Sequence, residues 1–189
     1  MDKKFSERLS KGLTSVKPGE VCLLTVNSDN TFIVRVATLA SLTKSGKNGI
    51  HVCIELPLGK IVSDSKVHGV EHSKLFFVDC SRVRQESGGK AEISDKNCVH
   101  LASPKNLTQL SILINSLVIS GKFDFLFFDS ISTLALYNQF ETVQKFAQYL
   151  FNKMRLFKIR GIIFCIQNDK KDKFAPLLAS LCDKSFDFS

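Results

Sequence analysis

The sequence predicts an α/β fold in which a mostly parallel sheet is flanked by helices on both faces. Three observations carry that expectation. Five short runs, residues 21–26 (VCLLTV), 50–54 (IHVCI), 75–78 (LFFV), 123–128 (FDFLFF) and 162–166 (IIFCI), are apolar and mostly lack polar alternation. Strands buried on both faces read this way. Segments with helical apolar spacing separate most of these runs, and strands alternating with helices form parallel sheets with right-handed crossovers. Runs 21–26, 50–54 and 123–128 are expected near the sheet centre.

The first helix after a strand carries Phe32, Val36, Leu39 and Ala40 on one face and stops at Gly46. Its start is expected to be capped by Ser28, Asp29 or Asn30. Ahead of the fourth strand, Asn106 can cap a helix bearing Leu107, Leu110, Leu113, Ile114, Leu117 and Val118, which ends near Gly121. A long stripe follows that strand (Phe140, Val143, Ala147, Leu150, Met154, Phe157) and ends before Gly161. A last helix begins near Pro176, a residue suited to a first turn, and runs through Leu181. Residues 81–96 are polar, contain Gly88-Gly89, and read as a mobile surface loop. Residues 1–18, with Phe5, Leu9 and Leu13 spaced amphipathically, read as an N-terminal docking helix or a frayed terminus. Residues 19–189 then form a single domain.

Composition narrows the class. With 44% hydrophobic and 23% charged residues the chain is neither disordered nor low-complexity. Its 16 phenylalanines against no tryptophan predict a phenylalanine-rich core. No apolar run approaches the roughly 20 residues of a membrane helix, and the start MDKKFSERLSKGL lacks a signal-peptide core, so the expected address is cytoplasmic.

Charge and cysteines exclude more than they select. The formal net charge of +8 permits an acidic or nucleic-acid partner without demanding one. Basic residues cluster at Lys153, Arg155, Lys158, Arg160, Lys170, Lys171 and Lys173, where weak, non-specific nucleic-acid binding is conceivable. The plainer reading is a helix end and a solvated loop. The six cysteines show no C-x-x-C spacing, which excludes a zinc ribbon or thioredoxin-like motif and favours buried reduced thiols. His68 and His72 are four apart but flank Gly69 without a helical stripe, so no metal site is expected there.

Ligands of open α/β sheets sit at strand carboxyl ends. After the first strand the chain reads NSDNT, with no glycine and no lysine, so nothing there can cradle and neutralise a phosphate. Asp129 ends the fourth apolar run, where nucleotide-hydrolysing proteins often hold Mg²⁺, and Glu55 ends the second. No nucleophile with an adjacent base accompanies them.

The blocks GEVCLLTVNSDNTF, GIHVCIELP, KLFFVDCS, NLTQLSILINSL, KFDFLFFDSISTLALYNQFETVQKFAQYLFNKMR and RGIIFCIQND together resemble small archaeal KaiC-like members of the RecA superfamily. The likeness spans roughly residues 18–189, and DSISTLALYNQFETVQKF is its most specific part. The resemblance implies a RecA-like fold. It also implies that Asp129 corresponds to the Walker B aspartate and that a catalytic Glu-Glu pair is reduced here to Glu55-Leu56. Of the P-loop only Thr31 matches. Thr31, Glu55, Asp129 and Ser130 are thus the expected remnant of a nucleotide and magnesium site.

The expected function is a non-catalytic pseudo-ATPase that regulates or scaffolds by associating with itself or with an intact KaiC-like ATPase. No cofactor is expected, with ATP and Mg²⁺ disfavoured, and no membrane partner. The alternatives are a nucleic-acid-associated recombinase paralogue and an atypical ATP-binding protein.

Overall fold

The structure is a computed structural model that describes residues 3–81, 92–167 and 174–189. Helix α1 (Lys3–Ser15) precedes strand β1 (Val21–Val26), and α2 (Thr31–Lys44) leads to β2 (Gly49–Cys53). Helix α3 (Leu58–Lys66) and a 3₁₀ turn (His72–Lys74) precede β3 (Leu75–Asp79). Strands β4 (Glu92–Asp95) and β5 (Cys98–His100), helix α4 (Leu107–Ile119) and β6 (Phe125–Asp129) follow. Helices α5 (Ile131–Leu134) and α6 (Phe140–Leu156), β7 (Arg160–Ile166), α7 (Phe174–Leu181) and β8 (Lys184–Phe188) complete the described chain.

One sheet of eight strands has the order β4-β5-β3-β2-β6-β7-β1-β8. All neighbours pair in parallel except β4, which runs antiparallel to β5 at the edge. Helices α4 to α7 pack on one face with Leu110, Phe128, Leu150 and Phe151 in the interface. Helices α1 to α3 cover the other, over Phe125, Phe127 and Phe164. The predicted fold class is thus the observed one, and the arrangement is consistent with a RecA-like α/β fold. Phenylalanine dominates as expected: Phe125, Phe127, Phe128, Phe151 and Phe164 are among the largest fully buried side chains.

Several expectations need correcting. Strands β2 and β6 are central, but β1 lies next to the edge, because the unforeseen strand β8 pairs beyond it. Strand β8 alternates in exposure, as a one-sided edge strand does, and carries no continuous apolar run. Residues 81–96 are not wholly loop, since β4 occupies Glu92–Asp95; residues 82–91 lie outside the described chain. Helix α3 also went unpredicted, because in LGKIVSDSK only Ile61 and Ser65 are buried. At the N-terminus α1 packs against α2. Leu9 and Leu13 of α1 are buried, as is Val16 just beyond it, and Arg8 Nη2 donates to the Asp187 carbonyl at 3.1 Å.

The helix stops follow backbone chemistry. Gly46 and Gly121 have φ of 74° and 68° after α2 and α4, a left-handed conformation that glycine adopts without a Cβ clash. Asn106 caps α4 as expected, its Oδ1 accepting the Gln109 N–H at 2.9 Å.

Candidate functional site at the strand carboxyl ends

Parallel register sets the site. His100, Asp79, Cys53 and Asp129 are in-register partners across β5, β3, β2 and β6, so their side chains share one face at the carboxyl rim. One rung below lie Cys98, Phe77, His51 and Phe127. Helices α2 and α3 cover this face. Two carboxylates therefore end buried strands under a helical lid, and each needs a counter-charge or donors to stay ionised there.

Asp129 receives its counter-charge from α2. Arg35 Nε and Nη2 both donate to the Asp129 carboxylate, the latter at 3.1 Å to Oδ1, and Nη2 also reaches Glu55. The arginine side chain is 4% exposed and that of Asp129 1%, whereas Glu55 keeps 31%. The guanidinium also stands 5.6 Å from the Phe164 ring centroid. On the other side, His51 Nε2 approaches Asp129 Oδ2 at 3.5 Å, long for a hydrogen bond, between the rings of Phe77 and Phe127. Burial alone would push Asp129 up; Arg35 and His51 outweigh it and hold the carboxyl below its ordinary value. Glu55 goes the other way, raised by burial and by the neighbouring Asp129 charge, which together outweigh Arg35. The Arg35 guanidinium is raised because its two carboxylates outweigh its own burial.

Asp79 is satisfied separately. It accepts from Ser81 N–H at 3.0 Å, Ser81 Oγ at 2.7 Å and the Leu58 N–H at 3.4 Å, and faces His100 Nδ1 at 3.2 Å. His100 Nε2 is 3.8 Å from Cys98 Sγ, so carboxylate, imidazole and thiol follow one another in the order of a nucleophilic triad. The order is all they share with one. Cys98 is 2% exposed, so it is a packed thiol rather than an attacking one. None of the six cysteines is in a disulfide and five are buried; burial pushes Cys22 up to about 12.

The four expected site residues divide. Glu55 and Asp129 come together, joined through Arg35. Thr31 lies one helical turn before Arg35, and its hydroxyl donates to the Asn27 carbonyl at 3.0 Å. Ser130 caps α5: its Oγ accepts the Thr133 N–H and lies 2.7 Å from Thr133 Oγ1. The β1–α2 loop is a tight turn in which Asn27 Oδ1 accepts the Asn30 N–H at 2.9 Å. The expected cap is corrected here. Asn30 occupies the N-cap position but makes no side-chain cap bond, because its Nδ2 donates to the Phe188 carbonyl at 2.9 Å.

These residues do not fit a magnesium triphosphate. Both Asp129 oxygens are engaged by one arginine, and the turn preceding α2 closes on its own side chains without glycine or lysine. The sequence reading missed Arg35, yet a signal existed: it is the single charge in TFIVRVATLASLTK before the terminal lysine, and buried arginines are paired ones.

The other candidates disperse. His72 Nε2 lies 2.8 Å from Ser65 Oγ, while His68 packs edge-on to Phe32, so the two imidazoles serve different neighbours. Of the basic cluster, Arg155 bonds the Leu181 carbonyl and Asp183, Arg160 bonds the Val16 carbonyl, and Lys153 stands over the Tyr149 and Phe157 rings. Lys158 adopts φ 57° at the end of α6, and Lys170, Lys171 and Lys173 lie outside the described residues. No described helix is long and apolar enough to cross a membrane. In comparison with known proteins, no protein-family model matches the chain and no curated protein matches it.

Proposed function

We propose that the chain is a non-catalytic domain of the RecA-like, KaiC-resembling kind that regulates or scaffolds by associating with itself or with an intact relative. The observation that carries this reading is Arg35. It stands within α2, buried, and pairs with both carboxylates that a magnesium nucleotide would otherwise recruit. A fixed internal cation there favours a permanently closed carboxylate pair over one that opens to a metal at each turnover.

Association is supported by apolar side chains on the same rim. Phe32 and Ile33 in the first turn of α2 are 42% and 37% exposed, and Leu136 and Phe140, between α5 and the start of α6, are 81% and 38%. Such residues gathered at one end of a sheet suit a protein interface. Sedimentation velocity over a concentration series tests this. Self-association that is lost in Leu136→Ser/Phe140→Ser, or a complex with an intact KaiC-like ATPase lost in the same variant, is expected. A chain that stays monomeric and ignores such an ATPase contradicts it.

A further inference from the structure

The opposite end of the sheet holds a second recess. At the amino ends of β2, β3 and β6, beside the turn between β4 and β5, lies a cleft of about 360 Å³. Three lysines line it, Lys74 before β3, Lys96 in the β4–β5 turn and Lys122 before β6. Among the described residues no carboxylate lines it. Asp124, on the same rim, instead accepts the Asn48 N–H at 2.9 Å. Among the described residues none of the three lysines forms an ion pair. Its floor is apolar: Phe76 and Phe123, both half-buried, stand with ring centroids 5.9 Å apart, and Leu117 adjoins them.

Helix polarity explains one of these charges at most. Lys122 follows the carboxyl end of α4, where a cation is favoured by the helix dipole. Lys74 is the last residue of a three-residue 3₁₀ turn, and Lys96 sits between two strands, so neither answers to an α-helix end. What the three share is the cleft. Lysine without arginine suits a compact multiply charged group better than a planar carboxylate, which arginine grips with two parallel bonds. The cleft volume falls within the range of small-ligand sites, and its aromatic floor asks for an apolar portion beside the charge.

We infer that this cleft binds a small phosphorylated molecule carrying an apolar ring or carbon skeleton. The phosphate sits among Lys74, Lys96 and Lys122 and the skeleton lies on Phe76 and Phe123. The site is separate from the Arg35 cluster, at the other end of the strands.

Isothermal titration calorimetry with 1-naphthyl phosphate tests it, with 1-naphthol and a single-stranded oligonucleotide longer than the cleft as comparison probes. Binding of 1-naphthyl phosphate that weakens with salt is expected, with none of 1-naphthol. Lys74→Gln/Lys122→Gln should weaken it by about tenfold or more per lysine, since hydrogen bonds to charged groups contribute about 1.5–3 kcal/mol. Lys60→Gln, on the α3 surface, should leave it unchanged. If circular dichroism shows that the double variant is unfolded, Lys96→Gln in the exposed turn replaces it. No binding of 1-naphthyl phosphate at millimolar concentration would overturn the inference, as would binding indifferent to these lysines. So would an oligonucleotide that binds more tightly as it lengthens, since that marks a strand-tracking surface rather than a bounded cleft.

Discussion

Replacing Arg35 by Met removes the guanidinium while keeping much of the length and apolar character of the side chain. It leaves Asp129, 1% exposed, facing Glu55 with no full counter-charge except what His51 can offer at 3.5 Å. Breaking a buried pair by deleting one partner costs about 3–5 kcal/mol, because the remaining charge stays desolvated. The Glu55 arm adds little to this, since that side chain is 31% exposed and solvent screens it. For a domain of this length the loss corresponds to about 6–20 °C in Tm. Adding Asp129→Asn to Arg35→Met should recover part of it, because removing both partners leaves no orphaned charge. Urea denaturation of the wild type, both single variants and the double variant gives the coupling directly, expected at about 1–3 kcal/mol. Two results refute the reasoning: an Arg35→Met loss below about 1 kcal/mol, within the range of exposed pairs, or strictly additive single-variant effects.

Three further outcomes are expected. Phe127→Ala should destabilise by about 3–5 kcal/mol in the same denaturation assay, since Phe127 is fully buried between His51 and Phe164. Gly49→Ala should cost about 1–3 kcal/mol by overpacking, because a Cβ at the start of β2 would land in the fully buried Phe125 ring; a neutral result on thermal melting would show that the ring can move aside. The stability that Asp129 contributes should depend on acid. Its folded value is depressed, so its contribution is complete above the ordinary aspartate value of about 4 and is lost as pH falls through the lower folded value. Glu55, raised by burial, opposes this by losing stability as pH climbs above the ordinary glutamate value. The stability gap between wild type and Asp129→Asn, from urea midpoints, should therefore close below about pH 4, and a gap independent of pH would contradict the assignment.

Fold class was legible because strands buried on both faces leave continuous apolar runs, and the five runs read from the sequence became β1, β2, β3, β6 and β7. What stayed hidden was weakly patterned. Strand β8 exposes alternate side chains, β5 is three residues long, and α3 buries two residues. The site was half legible. Asp129 and Glu55 stand out as acids ending apolar runs, and their position follows from strand direction. Their partner, Arg35, is 94 residues away from Asp129 in sequence, so no local spacing links the two. Asp79 ends β3 just as Asp129 ends β6, and the rule that found one should have found both. The Asn30 cap failed because a tertiary acceptor, the Phe188 carbonyl of an unforeseen strand, took its side chain.

On the function proposed above, Arg35 neutralises the carboxylates that a magnesium nucleotide would need. Titrating the wild-type chain with ATP–Mg²⁺ while following Tm tests it most directly. A ligand at a hundredfold excess over Kd stabilises the native state by about 2.7 kcal/mol, several degrees in a domain of this length. With Arg35 in place no shift is expected at millimolar ATP–Mg²⁺. A saturable shift in the wild type that disappears in Asp129→Asn would show that the carboxylate still serves a nucleotide, and would contradict the account.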